Sequence, residues 1–345
     1  MTGPTGTTAT GNQVLNNTVR DIYTYSIYSA YQNAGQIIGN DISRPTYAGS
    51  AFYGIYMTSG NTGAAVERNR IHDPFASAPT SSSTTYAIYL AGSGTAAAPN
   101  DYVNNILYNL QSASTIYGVY NGSPYSYHRF YHNTVVSDYT ASGLTYGYYQ
   151  SGTASGIELK NNIFKITRVA TSSQYALYFS SAAAATAAVS DYNDLYVAGT
   201  GTNYYTGYNG TARTTLADWR TATSLDGNSV AVDPLFVNAA TGNLRPTTNN
   251  GLDGLAPQLA RVPNDITTAT RNSPTDPGAY EFTPVAYDIE PTVLVTPAAS
   301  NQTCFSAAET LSVTVRNNGF ASINLSSLSP ATVSVSVTTP GSTVL

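Results

Sequence analysis

Tyr53-Gly-Ile-Tyr56 and Val66-Glu-Arg-Asn-Arg-Ile71 carry the two short motifs that decide the fold of this chain. The first motif is a tyrosine, a small residue, an apolar residue and a second tyrosine. It occurs six times, at residues 25–28, 53–56, 86–89, 117–120, 146–149 and 175–178. The second motif is an apolar residue, an asparagine three positions later and another apolar residue two positions after that. Both motifs recur with a period of about 29 residues, which indicates a solenoid of stacked repeats.

Each repeat has the composition of strands and turns. Short β-branched or aromatic runs alternate with Gly, Ser, Thr, Asn and Pro, as at residues 58–63. A helical solenoid would instead need long amphipathic stretches of good helix formers. We therefore predict an all-β chain that folds as a right-handed parallel β-helix. Six coils stacked at the spacing of neighbouring strands would form a rod roughly 30 Å long.

The motifs also suggest where domains begin and end. The β-helix is predicted at residues 1–282, with repeats at about 11–200 and C-terminal coils and a cap at about 201–282. A proline-containing linker is expected at residues 283–291. Alternating apolar residues then predict strands at 293–295, 311–315, 323–325 and 333–337. Residues 292–345 are interpreted as a partial immunoglobulin-like β-sandwich, because a complete one has about 100 residues.

Composition limits the classes of partner. Charged residues make up 10% of the chain and its formal net charge is −5. Nucleic-acid binding requires clustered Lys and Arg, so no nucleic-acid partner is expected. No apolar run reaches the length of a membrane span, so no membrane insertion is expected. The single Cys304 cannot form an internal disulfide.

The abundance of Tyr, Thr, Asn, Ser and Gly, with few charges, is typical of secreted proteins. The first residues, MTGPTGTTATG, contain neither the basic nor the apolar region of a signal peptide. We interpret the chain as a fragment of a longer bacterial protein, located outside the cell or at its surface, with the signal peptide absent from this chain.

Several segments resemble one known superfamily. Phe130-Tyr-His-Asn-Thr-Val-Val136 and Leu159-Lys-Asn-Asn-Ile-Phe164 resemble coils of the right-handed parallel β-helix proteins of the pectate-lyase-like superfamily. Leu216-Ala-Asp-Trp219, Val232-Asp-Pro-Leu-Phe-Val237 and Asp276-Pro-Gly-Ala-Tyr-Glu-Phe282 resemble a bacterial surface-protein branch of it. Residues 288–345 resemble the immunoglobulin-like adhesion modules that follow such helices. The resemblance implies the fold but not the activity, because the superfamily includes lyases, hydrolases and adhesins.

The acidic residues do not suggest a catalytic site. Four positions after the motif asparagine, the chain has Asp21, Arg44, Asp73 and Asn109. This alternation of acid and base predicts a neutralised structural column, whereas a calcium site would need converging acids. The densest acidic stretch contains Asp191 and Asp194, which strand alternation sends to opposite faces.

The histidines do not suggest a metal site. His72, His128 and His132 lie at different offsets from the motif asparagine, whereas a zinc site requires converging imidazoles. We therefore expect no catalytic residues, no metal and no cofactor. Enzymatic activity stays open as an alternative.

The asparagine of the second motif is predicted to be structural. An asparagine tolerates the left-handed conformation of a corner, and its amide can bond to the equivalent amide in the next coil. The predicted ladder contains Asn17, Asn40, Asn69, Asn105, Asn133 and Asn162. The apolar residues on either side are five positions apart, so a bend near the asparagine is needed for both to face the core.

The tyrosine motif supplies the candidate binding surface. If side chains alternate along the strand, the first tyrosine and the apolar residue face the core, and the small residue and the last tyrosine face outward. The predicted outward track contains Tyr28, Tyr56, Tyr89, Tyr120, Tyr149 and Tyr178. A flat row of aromatic faces suits a polysaccharide or a protein surface. The alternative is that the row only stabilises the scaffold by stacking.

Three functions follow from these features. The first is a non-catalytic extracellular surface or matrix protein, whose rigid rod serves adhesion or structural display and contacts glycans through its tyrosines. The second is a subunit of a self-assembling extracellular fibre, because coil ends have unpaired backbone groups. The third is a polysaccharide lyase or hydrolase.

Overall fold

A computed structural model describes residues 1–3, 7–47, 49–247, 251–285, 289–296, 312–317, 319, 322, 337–339 and 342–344. The chain forms two compact units. The first comprises Met1–Pro246 and Asn250–Phe282, and the second comprises Thr247–Asn249 and Thr283–Leu345.

The first unit is a parallel β-solenoid, which confirms the predicted all-β fold and parallel β-helix. Three sheets are formed by parallel pairing between successive coils. Sheet 1 contains Gln13–Leu15, Gln36–Ile38, Ala65–Glu67, Asn100–Val103, His128–Tyr131, Ile157–Lys160 and Val189–Asp191. Sheet 2 contains Thr18–Arg20, Asp41–Ser43, Arg70–His72, Ile106–Tyr108, Thr134–Ser137, Ile163–Ile166 and Asp194–Val197. The third, which we call the tyrosine sheet, contains Tyr25–Ser29, Phe52–Thr58, Thr85–Ala91, Ile116–Asn121, Thr145–Gln150, Gln174–Phe179, Tyr204–Asn209 and the antiparallel edge strand Ala212–Arg213.

The motif asparagine lies at the corner between sheets 1 and 2. One strand ends at Ile38 and the next begins at Asp41, so the chain turns at Gly39 and Asn40. Gly39 has a φ of 70°, and the residue before each other motif asparagine also has a positive φ. The left-handed conformation expected at the asparagine is therefore adopted by the preceding residue. The bend lets both apolar residues of the motif face the core.

The core of the solenoid is filled from all three sheets. Ile55 of the tyrosine sheet, Val66 of sheet 1 and Ile71 of sheet 2 are each 0% exposed. Burial of one such side chain stabilises the fold by about 1.5–3 kcal/mol. Because neighbouring coils stack, these side chains join one continuous apolar cluster that ends at Trp219.

Two short helices, α1 (Ala182–Thr186) and α2 (Leu216–Thr223), pack on the last strands of the tyrosine sheet. Helix α2 begins with a capping box in which Thr215 and Asp218 each accept a hydrogen bond from the backbone N–H of the other. Its Trp219 is fully buried, above the space that the missing side chain of Gly207 leaves. Trp219 therefore closes the core at the C-terminal end.

Beyond α2 the chain runs back along the solenoid; we call residues 224–246 and 251–282 the return segment. It contains the antiparallel strands Phe236–Asn238 and Asn243–Pro246, joined through the 3₁₀ helix Ala239–Thr241. Leu244 and Tyr280 pack on Ile106 and Tyr108 of sheet 2. Arg261 forms ion pairs with Glu67 and Asp101 of sheet 1. These contacts fall on sheets 1 and 2, and the outer rings of the tyrosine sheet remain partly exposed.

The second unit contains two antiparallel strand pairs among its described residues. Ile289–Thr296 pairs with Ser312–Asn317, and Val337–Thr339 pairs with Ser342–Val344. The predicted strand at 323–325, most of the one at 333–337, Leu311 and Cys304 lie outside the described residues. No helix in the described part of the chain is long and apolar enough to cross a membrane.

Candidate functional site

The asparagines form a continuous hydrogen-bonded ladder in the wall of the core. Asn105 shows the arrangement: its Oδ1 accepts the backbone N–H of Asn69 at 3.0 Å and the Nδ2–H of Asn69 at 2.9 Å. Its own Nδ2 donates to the carbonyl oxygen of Val66 at 2.9 Å and to Oδ1 of Asn133 at 2.9 Å. Asn105 is fully buried, so these bonds satisfy groups that water cannot reach.

The ladder extends one step beyond the six predicted asparagines. Asn162 donates its backbone N–H and its Nδ2–H to Oδ1 of Asn193. The sequence motif misses Asn193 because Ser190 stands at the apolar position. Ser190 instead donates its hydroxyl to Asp226, and Asp226 also accepts from Asn193 and from Trp219 Nε1. The C-terminal cap thus completes the last rung.

Both tyrosines of the first motif face outward, which corrects the expectation that the first one enters the core. The strand Phe52–Thr58 has Phe52, Gly54, Ile55 and Met57 buried, and both tyrosines partly exposed. The first column contains Tyr25, Tyr53, Tyr86, Tyr117, Tyr146, Tyr175 and Tyr205. The second contains Tyr28, Tyr56, Tyr89, Tyr120, Tyr149, Tyr178 and Tyr208. We call these two columns the double tyrosine ladder.

The small residue of the motif explains why alternation fails. Two successive residues, Gly54 and Ile55, are both buried, so the strand does not alternate at this point. A side-chain carbon on Gly54 would lie 2.7 Å from Cγ2 of Ile71 in sheet 2. The same spacing separates such a carbon on Gly118 from Cγ1 of Val135. The small residue is therefore needed where the tyrosine sheet approaches the core residues of sheet 2.

The ladder also contains a copy that the motif misses. Tyr205 and Tyr208 continue both columns, but the intervening residues are Thr206 and Gly207 instead of a small and an apolar residue. At this coil the indole of Trp219 fills the core beside Gly207. The signal that could have identified this copy is the tyrosine spacing alone.

The rings form a herringbone pattern. In the first column, Tyr86 and Tyr117 are 5.0 Å apart between ring centroids, and their planes differ by 1°. In the second, Tyr56 and Tyr89 are 4.7 Å apart with an angle of 10°. Between columns the planes are nearly perpendicular, at 76° for Tyr86 and Tyr89. Since touching aromatic carbons are about 3.5–4.0 Å apart, these centroid distances mean that the stacked rings are nearly parallel but laterally offset.

This packing changes what the surface presents. Each ring stacks on the ring of the next coil and meets the other column at a steep angle, so the surface is not the flat row of faces that the sequence suggested. Tyr25 and Tyr28 end the two columns and are the most exposed of the ladder rings, at 42% and 38%. The other ladder rings are partly exposed, except Tyr175, which is buried.

The ladder is electrically neutral. Its strands contain no charged residue, from Tyr25–Ser29 through Tyr204–Asn209. Burial, with a further contribution from neighbouring tyrosines, raises the pKa of Tyr86 to about 12 and that of Tyr178 to about 12. These two phenols therefore stay protonated at physiological pH and act as neutral hydrogen-bond donors and acceptors.

The carboxyl groups of Asp191 and Asp194 both accept hydrogen bonds from backbone N–H groups. Asp191 accepts the backbone N–H of Asn228, and Asp194 accepts that of Val232, both from the return segment. The two carboxyls lie in different sheets on either side of Asn193.

Two of the three histidines are buried. His128 Nε2 lies 3.0 Å from the carbonyl oxygen of Gly92, and burial lowers the pKa of His128 to about 4. His132 lies below the return segment, where burial and then the nearby Arg271 lower its pKa. Within the described ranges, no three His, Cys, Asp or Glu side chains come together as possible metal ligands.

The segment Asp276-Pro-Gly-Ala-Tyr-Glu-Phe282 ties the return segment together. Asp276 accepts the backbone N–H groups of Gly254 and Phe282, both at 2.7 Å. Glu281 accepts from Arg271 and from the hydroxyl of Thr275. Burial outweighs these backbone bonds and raises the pKa of Asp276 to about 7. These acids hold the return segment together, because their partners are its backbone groups, the Thr275 hydroxyl and Arg271.

His72 lies between two aspartates on sheet 2 and the turn that follows it. Its Nδ1 lies 2.7 Å from Oδ2 of Asp73, its Nε2 lies 2.9 Å from Oδ1 of Asp41, and its ring stacks on Tyr108. Burial lowers the pKa of His72, but the two carboxylates outweigh it and the net pKa is raised. An imidazolium that donates to both carboxylates fits this geometry.

Replacing His72 by Gln should remove a pH-dependent part of the stability. A histidine whose pKa is raised on folding stabilises the native state below its unfolded pKa of about 6.5, and this stabilisation is lost as the pH rises through the raised value. The difference in the free energy of unfolding between wild type and variant should therefore be larger at about pH 5.5 than at about pH 9. Urea unfolding at both values measures it, and a difference that does not change with pH would contradict the paired imidazolium.

Comparison with known proteins gives no relative for this chain: no family model, no curated protein and no solved structure matches it. The site must therefore be interpreted from its own geometry.

Proposed function

We propose that this protein is a non-catalytic extracellular rod that attaches to an uncharged polysaccharide through the double tyrosine ladder. The observation that carries the proposal is the continuous, neutral, two-column array of tyrosines on the tyrosine sheet, the sheet away from the contacts of the return segment. Contiguous apolar surface of this kind marks contact sites more often than scattered exposed residues do.

The chemistry of the ladder favours a neutral polymer. Its strands have no Lys or Arg to pair with an acidic glycan and no carboxylate to bind a basic one. An extended polysaccharide repeats C–H surface and hydroxyl groups along its length. The ladder repeats ring edges and hydroxyl groups at the strand spacing of about 4.8 Å. Tyrosine suits this contact because one side chain offers both an apolar edge and a polar group.

The rigidity of the tyrosine side chains in the ladder also favours binding. Each central ring is fixed by two neighbours in its own column and by rings of the other column, as Tyr86 is by Tyr53, Tyr117 and Tyr89. Side chains that are already ordered lose little conformational entropy when a ligand binds. A long ligand could then gain many weak contacts at small entropic cost.

The superfamily of the protein and its location are part of the same proposal. We propose that the chain is a divergent member of the bacterial surface-protein branch of the pectate-lyase-like superfamily, and that residues 292–345 belong to an immunoglobulin-like adhesion module. Support comes from the parallel coils with an asparagine corner and from the antiparallel strand pairs of the second unit. A location outside the cell is part of this proposal.

The hydroxyl rows give a direct test. Replacing Tyr56, Tyr89 and Tyr120 together by Phe keeps the rings and removes three hydroxyls from the second column. Each lost hydrogen bond is worth about 0.5–1.5 kcal/mol, so we expect the Kd for a bound neutral polysaccharide to rise by about tenfold or more. Co-sedimentation with insoluble β-glucans and affinity electrophoresis in soluble neutral and acidic polymers would measure it.

The matched control removes three hydroxyls outside the ladder, by replacing Tyr23, Tyr139 and Tyr192 with Phe. This variant should bind like wild type. Equal binding by the ladder variant and wild type, or binding of wild type to acidic polymers alone, would overturn the proposal. Release of oligosaccharides during the incubation would overturn its non-catalytic part.

A further inference from the structure

The double tyrosine ladder places the phenols of successive coils in direct contact. Tyr120 pairs in register with Tyr149, and Tyr149 with Tyr178, on parallel strands. Their ring centroids are 5.2 and 4.9 Å apart, and the ring planes differ by 6° and 11°. Each ring is therefore close to a translated copy of its neighbour, with its hydroxyl on the same side. The ring carbons ortho to one hydroxyl consequently lie next to those of the tyrosine in the next coil.

Contacts of this kind are what the oxidative coupling of phenols requires. Removal of one electron and one proton from a tyrosine leaves a phenoxyl radical, whose unpaired electron is shared between the oxygen and the ring carbons, including the two ortho carbons. Two such radicals join through their ortho carbons when their rings meet. Free phenols must first collide, whereas the ladder already holds phenols from different coils side by side.

We propose that the ladder is a site of oxidative modification, at which a haem peroxidase with hydrogen peroxide joins tyrosines of successive coils as dityrosine. Each of two neighbouring phenols loses one electron and one proton. One C–C bond forms between their ortho carbons, and the hydrogen on each of these carbons moves to its ring oxygen. Hydrogen peroxide takes up the two electrons and the two protons and becomes two water molecules.

The ladder is accessible to such an oxidant, whereas two other oxidisable side chains are not. Tyr117 and Tyr120 are partly exposed, as are the rings stacked on them in the next coil. Met57 and Trp219 are fully buried. The exposure of the ladder also lets the released protons pass to water and gives the rings room to tilt as the bond closes.

Dityrosine in the ladder would fasten one coil to the next. Each bond joins residues about 29 positions apart, and a covalent link that closes a loop of this length restricts the unfolded chain. Coupling of this kind does not depend on polysaccharide binding, because it uses only the contacts between the rings.

Digestion with trypsin separates the coils and so reports which rings have joined. Because the Arg44–Pro45 bond resists cleavage, the ladder tyrosines fall in four peptides, residues 21–68, 71–129, 130–160 and 169–213. After brief oxidation by a haem peroxidase, we expect mass spectrometry to find each peptide joined to the next one along the chain. Each joined pair should weigh two hydrogen atoms less than the sum of its peptides. A chain unfolded in urea before oxidation should also join 21–68 to 169–213.

A double variant localises the coupling. Tyr117→Phe with Tyr120→Phe keeps the rings and removes both phenols of one coil. The pair of 71–129 with 130–160 should then fall at least about tenfold, because the remaining phenols are two coils apart. The other two pairs should persist and so report that the variant is folded. The matched control, Tyr127→Phe with Tyr139→Phe, removes one phenol outside the ladder from each of the same two peptides and should leave all pairs unchanged.

An equal mixture of ordinary and isotope-labelled chains separates coupling within one molecule from coupling between molecules. Joined peptides should carry the same label if they come from neighbouring coils of one rod. Pairs of mixed label would assign the coupling to collisions between chains and overturn the proposal. Failure of the folded chain to give the neighbouring pairs, or an undiminished pair in the ladder variant, would overturn it as well.

Discussion

Replacing Trp219 by Ala should lower the free energy of unfolding by about 3–5 kcal/mol, the range for deleting a large buried aromatic side chain. Trp219 is 0% exposed and its ring stacks on Phe179 at 6.1 Å between centroids. The residue opposite is Gly207, which has no side chain that could relax into the cavity. Its indole N–H also donates to Oδ2 of Asp226 at 2.8 Å. The variant therefore loses packing and leaves a buried carboxyl oxygen without its partner.

A second variant separates these two effects. Trp219→Phe keeps a ring against Phe179 and removes the N–H, so the cost should fall to about 1–3 kcal/mol. Because Trp219 is the single tryptophan, unfolding should be followed by circular dichroism in urea rather than by indole fluorescence. Val237→Ala, at an exposed position, should change stability by no more than about 0.5 kcal/mol. A Trp219→Ala variant as stable as wild type would show that α2 does not close the core.

The periodic part of the fold could be predicted from the sequence because every coil has the same structural requirements. One corner must hold a buried amide, and one sheet must approach the core closely. The asparagine and the small residue that meet these requirements recur about every 29 residues. The sequence motifs fail to identify the last coil, where the repeats meet the C-terminal cap. Ser190 and Gly207 replace the expected apolar residues because Asp226 and Trp219 supply those contacts from outside the repeat.

The return segment could not have been predicted in the same way. Arg70 and Tyr280 form a hydrogen bond although they are 210 positions apart, and Arg261 reaches Glu67 across 194. Neither contact has a periodic signal in the sequence. Such contacts depend on the three-dimensional course of the chain, which local propensity does not encode.

The candidate site was predicted in part. The last tyrosine of each motif lies on the outer face of the tyrosine sheet, but the first tyrosine does too, since Gly54 and Ile55 both turn inward. The rule of strict alternation missed this departure. The herringbone packing could not be derived either, because ring tilt depends on contacts between two columns in three dimensions. Whether the ladder binds a polysaccharide stays a prediction.

A substitution inside the asparagine ladder should lower the free energy of unfolding about as much as the loss of Trp219 does. In Asn105→Asp the oxygen that accepts from Asn69 is kept, but an oxygen replaces the Nδ2 that donates to Val66 and Asn133. At neutral pH the variant must either bury an unpaired charge or take up a proton. Leaving a buried charge without its partner costs about 3–5 kcal/mol, and we expect a loss of this size in the free energy of unfolding at neutral pH.

The pH dependence identifies the cause. Desolvation and the two facing oxygens should raise the pKa of the new carboxyl above its unfolded value of about 3.9, so the folded state binds the proton more tightly. The loss should therefore be smallest below about pH 4 and grow as the pH rises through the raised value. Urea unfolding at about pH 4 and pH 7 measures this change, with wild type as the reference.

Asn17→Asp is the matched control, since Asn17 is exposed and ends the same ladder. Water can solvate its new carboxylate, so we expect a cost of about 1 kcal/mol or less at both pH values. A loss for Asn105→Asp that equals this control, or that does not depend on pH, would mean that the amide rungs contribute little. In that case the stacked apolar core and the backbone pairing of the three sheets would hold the coils in register without the ladder.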